Sequence, residues 1–145
     1  MKEAARTKER KKEAEASSGP MSARQRAIVC AREASRFKAL DIVVLDVSGY
    51  SSFSDCFVIC TGKSSRQVQG IADNLETSLK EQGIRPLGVE GMREGHWVLM
   101  DYGDVIIHVF YEPVRYFYDL ESLWSEAEQI EWDAPVEGGP ERKSG

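Results

Sequence analysis

The chain has 145 residues and a mass of 16.3 kDa, about the length of one domain, and its 41% hydrophobic content suffices for a buried core. No apolar stretch approaches the roughly 20 residues that span a membrane, and residues 1–20 lack the apolar segment of a secretory signal. Residues 1–38 carry 11 Lys and Arg against 5 Asp and Glu, a net charge of +6, whereas residues 39–145 carry 8 Lys and Arg against 19 Asp and Glu, a net charge of −11. The negative charge of the second part disfavours broad binding of nucleic acid by that part and favours a basic partner.

The first segment differs in composition from the rest of the chain. Residues 1–20 are rich in Lys, Arg, Glu and Ala and end in Ser-Ser-Gly-Pro, which predicts a flexible charged extension. Ser22 and Gln25 have the spacing of a capping box, which predicts the start of a helix and of a single domain over residues 21–128. Apolar, mostly small side chains then recur at helical spacing, at Ala27, Cys30, Ala31, Ala34 and Phe37.

Two apolar runs predict strands in the interior of a sheet. Ile42–Val47 is rich in β-branched residues, and Asp55–Thr61 follows after a turn rich in Ser and Gly. Both runs are apolar at consecutive positions, which is typical of strands buried on both faces. Cys56 and Cys60 lie four residues apart on the second strand, about 13 Å, which is too far for a disulfide between them. Together with Cys30 they predict reduced thiols in a cytoplasmic protein.

The helix predicted after the second strand has a regular apolar face. Ser64 and Gln67 repeat the capping-box spacing, and Gly83 predicts the end of the helix. The apolar residues between them are Val68, Ile71, Ala72, Leu75 and Leu79. A strand over Ile84–Val89 then completes a predicted strand–helix–strand crossover.

The segment Gly95–Tyr111 predicts a β-hairpin. With a two-residue loop at Tyr102-Gly103, Trp97 lies opposite His108 and Asp101 lies opposite Asp104. One face is uniformly apolar and predicts a core face: Val98, Met100, Val105, Ile107 and Val109. The other face mixes aromatic, acidic and imidazole side chains, and we expect it to be a surface for a partner. A slip of one residue in the pairing would exchange the two faces.

The last predicted helix starts at Pro113, where a missing N–H costs nothing. Its apolar stripe consists of Phe117, Leu120, Leu123, Trp124 and Ala127. Its acidic side chains have no cation among them between Tyr116 and Trp132. Residues 129–145 are rich in Pro, Gly and Glu and predict an acidic, disordered tail.

The sequence offers a possible phosphate-binding turn and a possible metal site, but each lacks some of the residues that such a site needs. The turn Gly62–Ser65 lies at a strand–helix junction that suits an anion, yet it lacks the Walker A spacing and an adjacent strand with carboxylates for magnesium. Asp101, Asp104 and His108 would give a metal site with a single imidazole. Gly62–Ser65 can equally be a helix-capping turn, and His108 can equally be a hydrogen-bonded histidine under Trp97. A nucleotidyltransferase-like enzyme remains the alternative to a binding protein.

Several ordered motifs resemble the ribosomal silencing factor family, also called Iojap. In chain order they are Asp46–Ser52, Ser54–Val68, Pro86–Gly91, Trp97–Phe110 and Phe117–Trp124. The resemblance covers about residues 22–126 and implies an α/β domain of the α+β type. Its mixed sheet would have about five strands flanked by helices, as in nucleotidyltransferases, but without their catalytic carboxylates.

The resemblance also implies a function without catalysis, cofactor or metal. The chain would bind ribosomal protein fourteen of the large ribosomal subunit in the cytoplasm and block subunit joining, which represses translation, especially under nutrient limitation. Assistance in large-subunit assembly is the alternative within the family. The resemblance further allows a homodimer away from the ribosome and a minor contact with ribosomal RNA, and it implies no membrane contact.

The resemblance places the partner surface on the mixed face of the hairpin and on the last helix. The implied contact residues are Trp97, Leu99, Asp101, Tyr102, Asp104, His108, Phe110 and Tyr118. In this arrangement Trp97 and Phe110 supply apolar contact area, and the carboxylates complement a basic ribosomal protein.

Overall fold

The computed structural model describes residues 21–133, which form a mixed sheet with helices on both faces. The strands are β1 (Leu40–Asp46), β2 (Cys56–Gly62), β3 (Gly88–Glu90), β4 (Trp97–Asp101), β5 (Val105–Tyr111) and β6 (Glu128–Ile130). The helices are α1 (Ala23–Arg36), α2 (Ser65–Glu81), α3 (Glu112–Tyr118) and the single turn α4 (Leu120–Leu123). The extension predicted for residues 1–20 lies outside the described residues. No helix within residues 21–133 is long and apolar enough to cross a membrane.

The sheet has the strand order β3-β4-β5-β2-β1-β6. The central strands β2 and β5 are parallel, and every other neighbouring pair is antiparallel. All seven residues of β2 are buried, as expected for a strand covered on both faces and flanked on both sides. The predicted mixed α+β sheet is confirmed, with six strands in place of about five.

The first turns of α1 and α2 are capped in different ways. In α1 the capping box is complete, because the Ser22 side chain accepts from the Gln25 backbone N–H and the Gln25 side chain accepts from the Ser22 N–H. In α2 the Ser64 hydroxyl accepts from the Gln67 N–H at 3.0 Å. The Gln67 side chain, however, accepts from the N–H of Lys63 at 2.6 Å. The second capping box is therefore only half formed.

Helices α1 and α2 cover one face of the sheet and build the larger core. Small residues of α1, such as Ala27, Cys30 and Ala31, are fully buried, so the helix lies close to the strands. The predicted core face of the hairpin is confirmed, since its five apolar residues have no exposed surface: Val98, Met100, Val105, Ile107 and Val109. Burial also raises the pKa of the thiol of Cys30 to about 12, which keeps it protonated.

The hairpin β4–β5 has a register that differs from the predicted one by two residues. Trp97 pairs with Phe110 and not with His108. The loop keeps two residues but lies one position later, at Gly103-Asp104, because the Tyr102 N–H donates to the carbonyl of Val105 at 2.9 Å. Since side chains alternate with a period of two, a shift of two residues leaves each strand residue on its predicted face.

The single long helix predicted after Pro113 is wrong. The chain leaves α3 at Asp119, whose φ of 49° is left-handed, and only the single turn α4 follows. Phe117 is 80% exposed and Leu123 is 75% exposed, so these two residues do not belong to a core stripe. The left-handed residue changes the direction of the chain, and a helical period cannot continue across it.

The predicted boundary of the tail at residue 129 is also wrong for the part of it that the structure describes. Glu128–Ile130 forms β6 and pairs with β1, and Ile130 is 4% exposed. The Trp132 indole N–H donates to the carbonyl of Ile42 at 3.2 Å, and the Arg32 side chain donates to the Trp132 carbonyl at 2.9 Å. Residues 128–132 therefore form a strap along β1 and α1. The rest of the predicted tail, residues 134–145, lies outside the described residues.

Candidate protein-binding face

Aromatic side chains of α3 lie exposed beside the hairpin. Phe117 is 80% and Tyr118 is 53% exposed. The Tyr118 ring lies 5.1 Å from that of Trp97 and 5.1 Å from that of Phe117, measured between ring centroids. These three residues form a continuous surface, here called the aromatic face. Tyr116 and Leu123, on the same chain segment, are exposed as well.

The Trp97 ring is fixed by two side chains beneath it. Its indole N–H donates to Nδ1 of His108 at 3.1 Å, and its ring centroid lies 4.8 Å from that of Phe110. Burial lowers the pKa of His108 to about 4, so its imidazole is neutral near pH 7 and Nδ1 is free to accept. The hydrogen bond and the ring contact therefore set the orientation of Trp97.

His108 and Phe110 are not on the surface. His108 is 4% exposed and Phe110 is fully buried, so the prediction that this face of the hairpin is open is wrong at both positions. They lie in a second core with Leu45, Val47, Phe57 and Ile59. The segment from α3 to Ala127 packs over this core through Val114, Leu120, Trp124 and Ala127. His108 and Phe110 support the aromatic face from below.

Three other predicted contact residues, Asp101, Tyr102 and Asp104, lie at or beside the loop of the hairpin, and each has different neighbours. Tyr102 is 5% exposed and packs in the core beneath α1 and α2, on the opposite face of the sheet from Trp97. Asp104 lies 3.9 Å from Nε of Arg26 on α1, and Asp101 uses its carboxylate to accept the N–H of Gly103 at 2.8 Å.

The two carboxylates do not face each other as predicted. Asp101 pairs with Ile106, and Asp104 lies in the loop before β5. No group of three His, Cys, Asp or Glu side chains within residues 21–133 is arranged to hold a metal ion. Among the predicted contact residues, Trp97 and Tyr118 have rings in contact with each other. Half-buried Leu99 lies on the same face of β4 as Trp97.

Arg115 holds α3 against the sheet, a role that the sequence analysis missed. Its guanidinium donates to the carbonyl of Asp41 and to the hydroxyl of Thr61, both at 2.6 Å. It also makes a two-point contact with the carboxylate of Glu121, at 2.8 and 3.2 Å. Arg115 is 8% exposed. The sequence signal is the one cation of α3, placed just before the acidic stretch that begins after Tyr116.

A pocket of about 540 Å³ lies beside Arg115. Its lining includes the exposed ring of Tyr116 and four carboxylates, those of Asp41, Glu112, Asp119 and Glu121. Arg115 neutralises one of these carboxylates directly. The surroundings of α3 are therefore acidic as well as aromatic, a combination that suits a partner with both apolar and cationic groups.

These features define an α+β domain that presents an aromatic face with an acidic border. The family model described as "Ribosomal silencing factor during starvation" matches residues 20–144. The chain belongs to the ribosomal silencing factor family.

Named relatives and a solved structure agree with this assignment. The ribosomal silencing factor RsfS of Halalkalibacterium halodurans is 42% identical over 68% of this chain and 85% of its own length. That of Bacillus subtilis is 44% identical over 66% of this chain and 81% of its own length. The crystal structure of protein CV0518 from Chromobacterium violaceum superposes with a TM-score of 0.67 at 35% identity, over 79% of this chain and 95% of that chain.

Proposed function

We propose that this protein binds the large ribosomal subunit through ribosomal protein fourteen and sterically blocks subunit joining, which represses translation. The observation that carries the proposal is the aromatic face, where Phe117 and Tyr118 are largely exposed beside an oriented Trp97. Clustered exposed aromatic side chains are typical of protein interfaces, because they bury a large area at a low cost in conformational entropy. The names of the relatives, ribosomal silencing factors, support the ribosome as the target.

The charge around the aromatic face supports a basic partner. Residues 112–133 contain seven Asp and Glu but a single cation, Arg115. Arg115 is itself buried and paired with Glu121, so it does not offset the remaining carboxylates at the surface. Such a surface accelerates association with a basic ribosomal protein and makes the rate of association sensitive to salt.

To block subunit joining, the protein only has to occupy its site on the large subunit. A bound domain of this size on the face that meets the small subunit would exclude the contacts by which the two subunits join. No residue has to act on a substrate. The role of His108 in this scheme is to orient Trp97, since its neutral imidazole accepts the indole N–H.

The test uses two matched phenylalanines. Phe117→Ser alters the aromatic face, whereas Phe53→Ser removes an equally exposed ring (85%) from the β1–β2 loop. We expect Phe117→Ser to weaken co-sedimentation with purified large subunits by about 30-fold, or about 2 kcal/mol for an interface hot spot. Phe53→Ser should bind like the unsubstituted protein. Both sites are exposed, so neither change should disturb folding.

Subunit joining is then measured by adding small subunits. The unsubstituted protein should reduce the fraction of joined ribosomes, and Phe117→Ser should restore it. Equal binding by the two variants would remove the aromatic face as the interface. Binding without any loss of joined ribosomes would shift the function to large-subunit assembly. Trp97→Ala is less informative, because it also uncovers His108 and Phe110.

A further inference from the structure

A short stretch of chain covers the second core of the protein. Residues 122–127, here called the cover segment, cross the face of the sheet that carries Phe57 and His108. The residues of this segment that pack on the second core are Trp124 and Ala127, and both are only half-buried. Leu123, between them and α4, is 75% exposed. The second core is therefore thinly covered on this side.

The two ends of the cover segment are held firmly, whereas its middle is held mainly by local bonds. Glu121, just before it, pairs with Arg115 at 2.8 Å, and Glu128, just after it, begins β6, which pairs with β1. The N–H of Trp124 donates to the carbonyl of Glu121 at 3.1 Å, and the N–H of Ala127 donates to the carbonyl of Trp124 at 2.9 Å. These local bonds can persist while the middle of the segment moves away from the sheet.

A tyrosine of the β1–β2 loop fastens the cover segment to the rest of the domain. The Tyr50 hydroxyl donates to the carbonyl of Glu126 at 3.1 Å. Its ring meets that of Trp124 edge-on, with the centroids 6.5 Å apart. Tyr50 is 59% exposed, so water competes for the hydrogen bond of its hydroxyl. Tyr50 is therefore a weak latch on the cover segment.

Two buried N–H donors under the closed cover segment find no acceptor within residues 21–133. One is Nε2 of His108, which carries the imidazole proton because Nδ1 accepts from Trp97. The other is the indole N–H of Trp124. Burying a donor without an acceptor is unfavourable, and opening of the segment would give both donors water. The packing of Trp124 favours the closed form and these two donors favour the open form, which narrows the free-energy difference between the forms.

A row of contacts leads from the cover segment to the aromatic face. The ring centroid of Trp124 lies 5.3 Å from that of Phe57, which lies 4.8 Å from that of His108. His108 in turn accepts the indole N–H of Trp97 at 3.1 Å. When Trp124 moves out, water reaches the imidazole that orients Trp97. The position of the cover segment therefore affects how firmly Trp97 is held.

We propose that the cover segment opens and closes as a unit over the second core, and that the closed form alone holds Trp97 in the orientation that a partner meets. The second part of this inference rests on the proposed function, which makes the aromatic face the binding surface. Both α3 and β6 stay in place in the open form, because Arg115 and the pairing with β1 hold them. The protein thus has a form that binds and a form that does not, and a partner shifts the population toward the closed form.

The test compares two tyrosine variants of the full-length chain by hydrogen exchange, followed by NMR for individual amide and indole protons. Tyr50→Phe removes the latch but keeps the ring beside Trp124. Tyr116→Phe is the matched control, since it removes the hydroxyl of another exposed tyrosine (73%) that lies outside the cover segment. Both substitutions keep the aromatic ring and the net charge.

In the unsubstituted protein, we expect the amides of the cover segment to exchange faster than those of β2, because they open without global unfolding. Tyr50→Phe should accelerate these amides and the Trp97 indole proton about fivefold, the effect of one hydrogen bond, and leave β2 unchanged. Tyr116→Phe should change neither. Equal protection of the cover segment and β2 would overturn the opening. Faster amides with an unchanged Trp97 indole proton would overturn the link to the aromatic face.

Isolated ribosomal protein fourteen provides a separate measurement. At about 100 times its dissociation constant, it should slow exchange in the cover segment about 100-fold, because the open form does not bind. Binding that leaves this exchange unchanged would contradict the second part of the inference. A failure to bind would count against the proposed function, while the two tyrosine variants would still decide whether the segment opens.

Discussion

His108, which accepts a hydrogen bond from Trp97 of the aromatic face, should also make the stability of the protein depend on pH. Its pKa falls from an ordinary 6.5 to about 4 because the folded protein buries the imidazole. Between these values the unfolded chain binds a proton that the folded chain does not, so the free energy of unfolding should fall as the pH is lowered. The expected loss is about 2 kcal/mol at pH 5 relative to pH 7.5, measured by urea unfolding.

The two histidines of the chain provide a control for this prediction. His108→Gln should remove most of the pH dependence between 6.5 and 4, at the cost of a lower stability at neutral pH. His96→Gln, a change at an exposed position, should leave the dependence in place. A slope that persists in His108→Gln would assign the proton uptake to another group.

At the scale of single elements, α3 depends on Arg115. Arg115→Lys keeps the charge, but one ammonium group cannot reach the Asp41 carbonyl, the Thr61 hydroxyl and both oxygens of Glu121 in the geometry of a guanidinium. We expect the free energy of unfolding to fall by about 2–3 kcal/mol, because buried acceptors lose their donors. Hydrogen exchange in α3 should rise together with it. An unchanged urea midpoint would show that the contacts of Arg115 are dispensable.

Local periodicity was sufficient for the elements whose geometry is set within a few residues. The helical spacing of α1, with its capping box at Ser22 and Gln25, is found as predicted. The hairpin register was not predictable in this way, since it depends on a loop hydrogen bond from Tyr102 to Val105. The break after α3 depends on a left-handed Asp119, a conformation that short polar residues adopt only in some contexts.

The aromatic face was predictable only in part, because some of its residues depend on where the last helix ends. Trp97 and Tyr118 were expected to lie there, and the structure brings their rings together. Phe117 was assigned to a core stripe, because a continuous helix to Ala127 would have turned it inward. The hydrogen-bonded histidine, offered as the alternative to a metal ligand, is found at His108. The burial of Phe110 does not follow from the alternating hairpin pattern, since the cover over that face comes from the segment after α3.

At the scale of the whole molecule, the strap formed by residues 128–132 closes the sheet. β6 pairs with β1, and Arg24 on α1 contacts both Asp46 and Glu128. A chain ending at Ala127 would expose the edge of β1, so we expect lower stability and concentration-dependent self-association. Light scattering over a range of concentrations measures this effect, with a chain ending at Asp133 as the control. A monodisperse monomer from the shorter chain would contradict it.

The parallel pairing of β2 with β5 also sets an order of events during synthesis. Cys56 meets Val105, a partner 49 residues later in the chain, and everything between them must be made before the central pair forms. Contacts of such separation fold slowly, because loop-closure entropy is lost before the pairing stabilises the chain. The nascent polypeptide can form α1 and the β1–β2 hairpin first. The aromatic face assembles only after α3 has left the exit tunnel, so a nascent copy cannot engage a partner through that face before Glu112–Tyr118 has emerged.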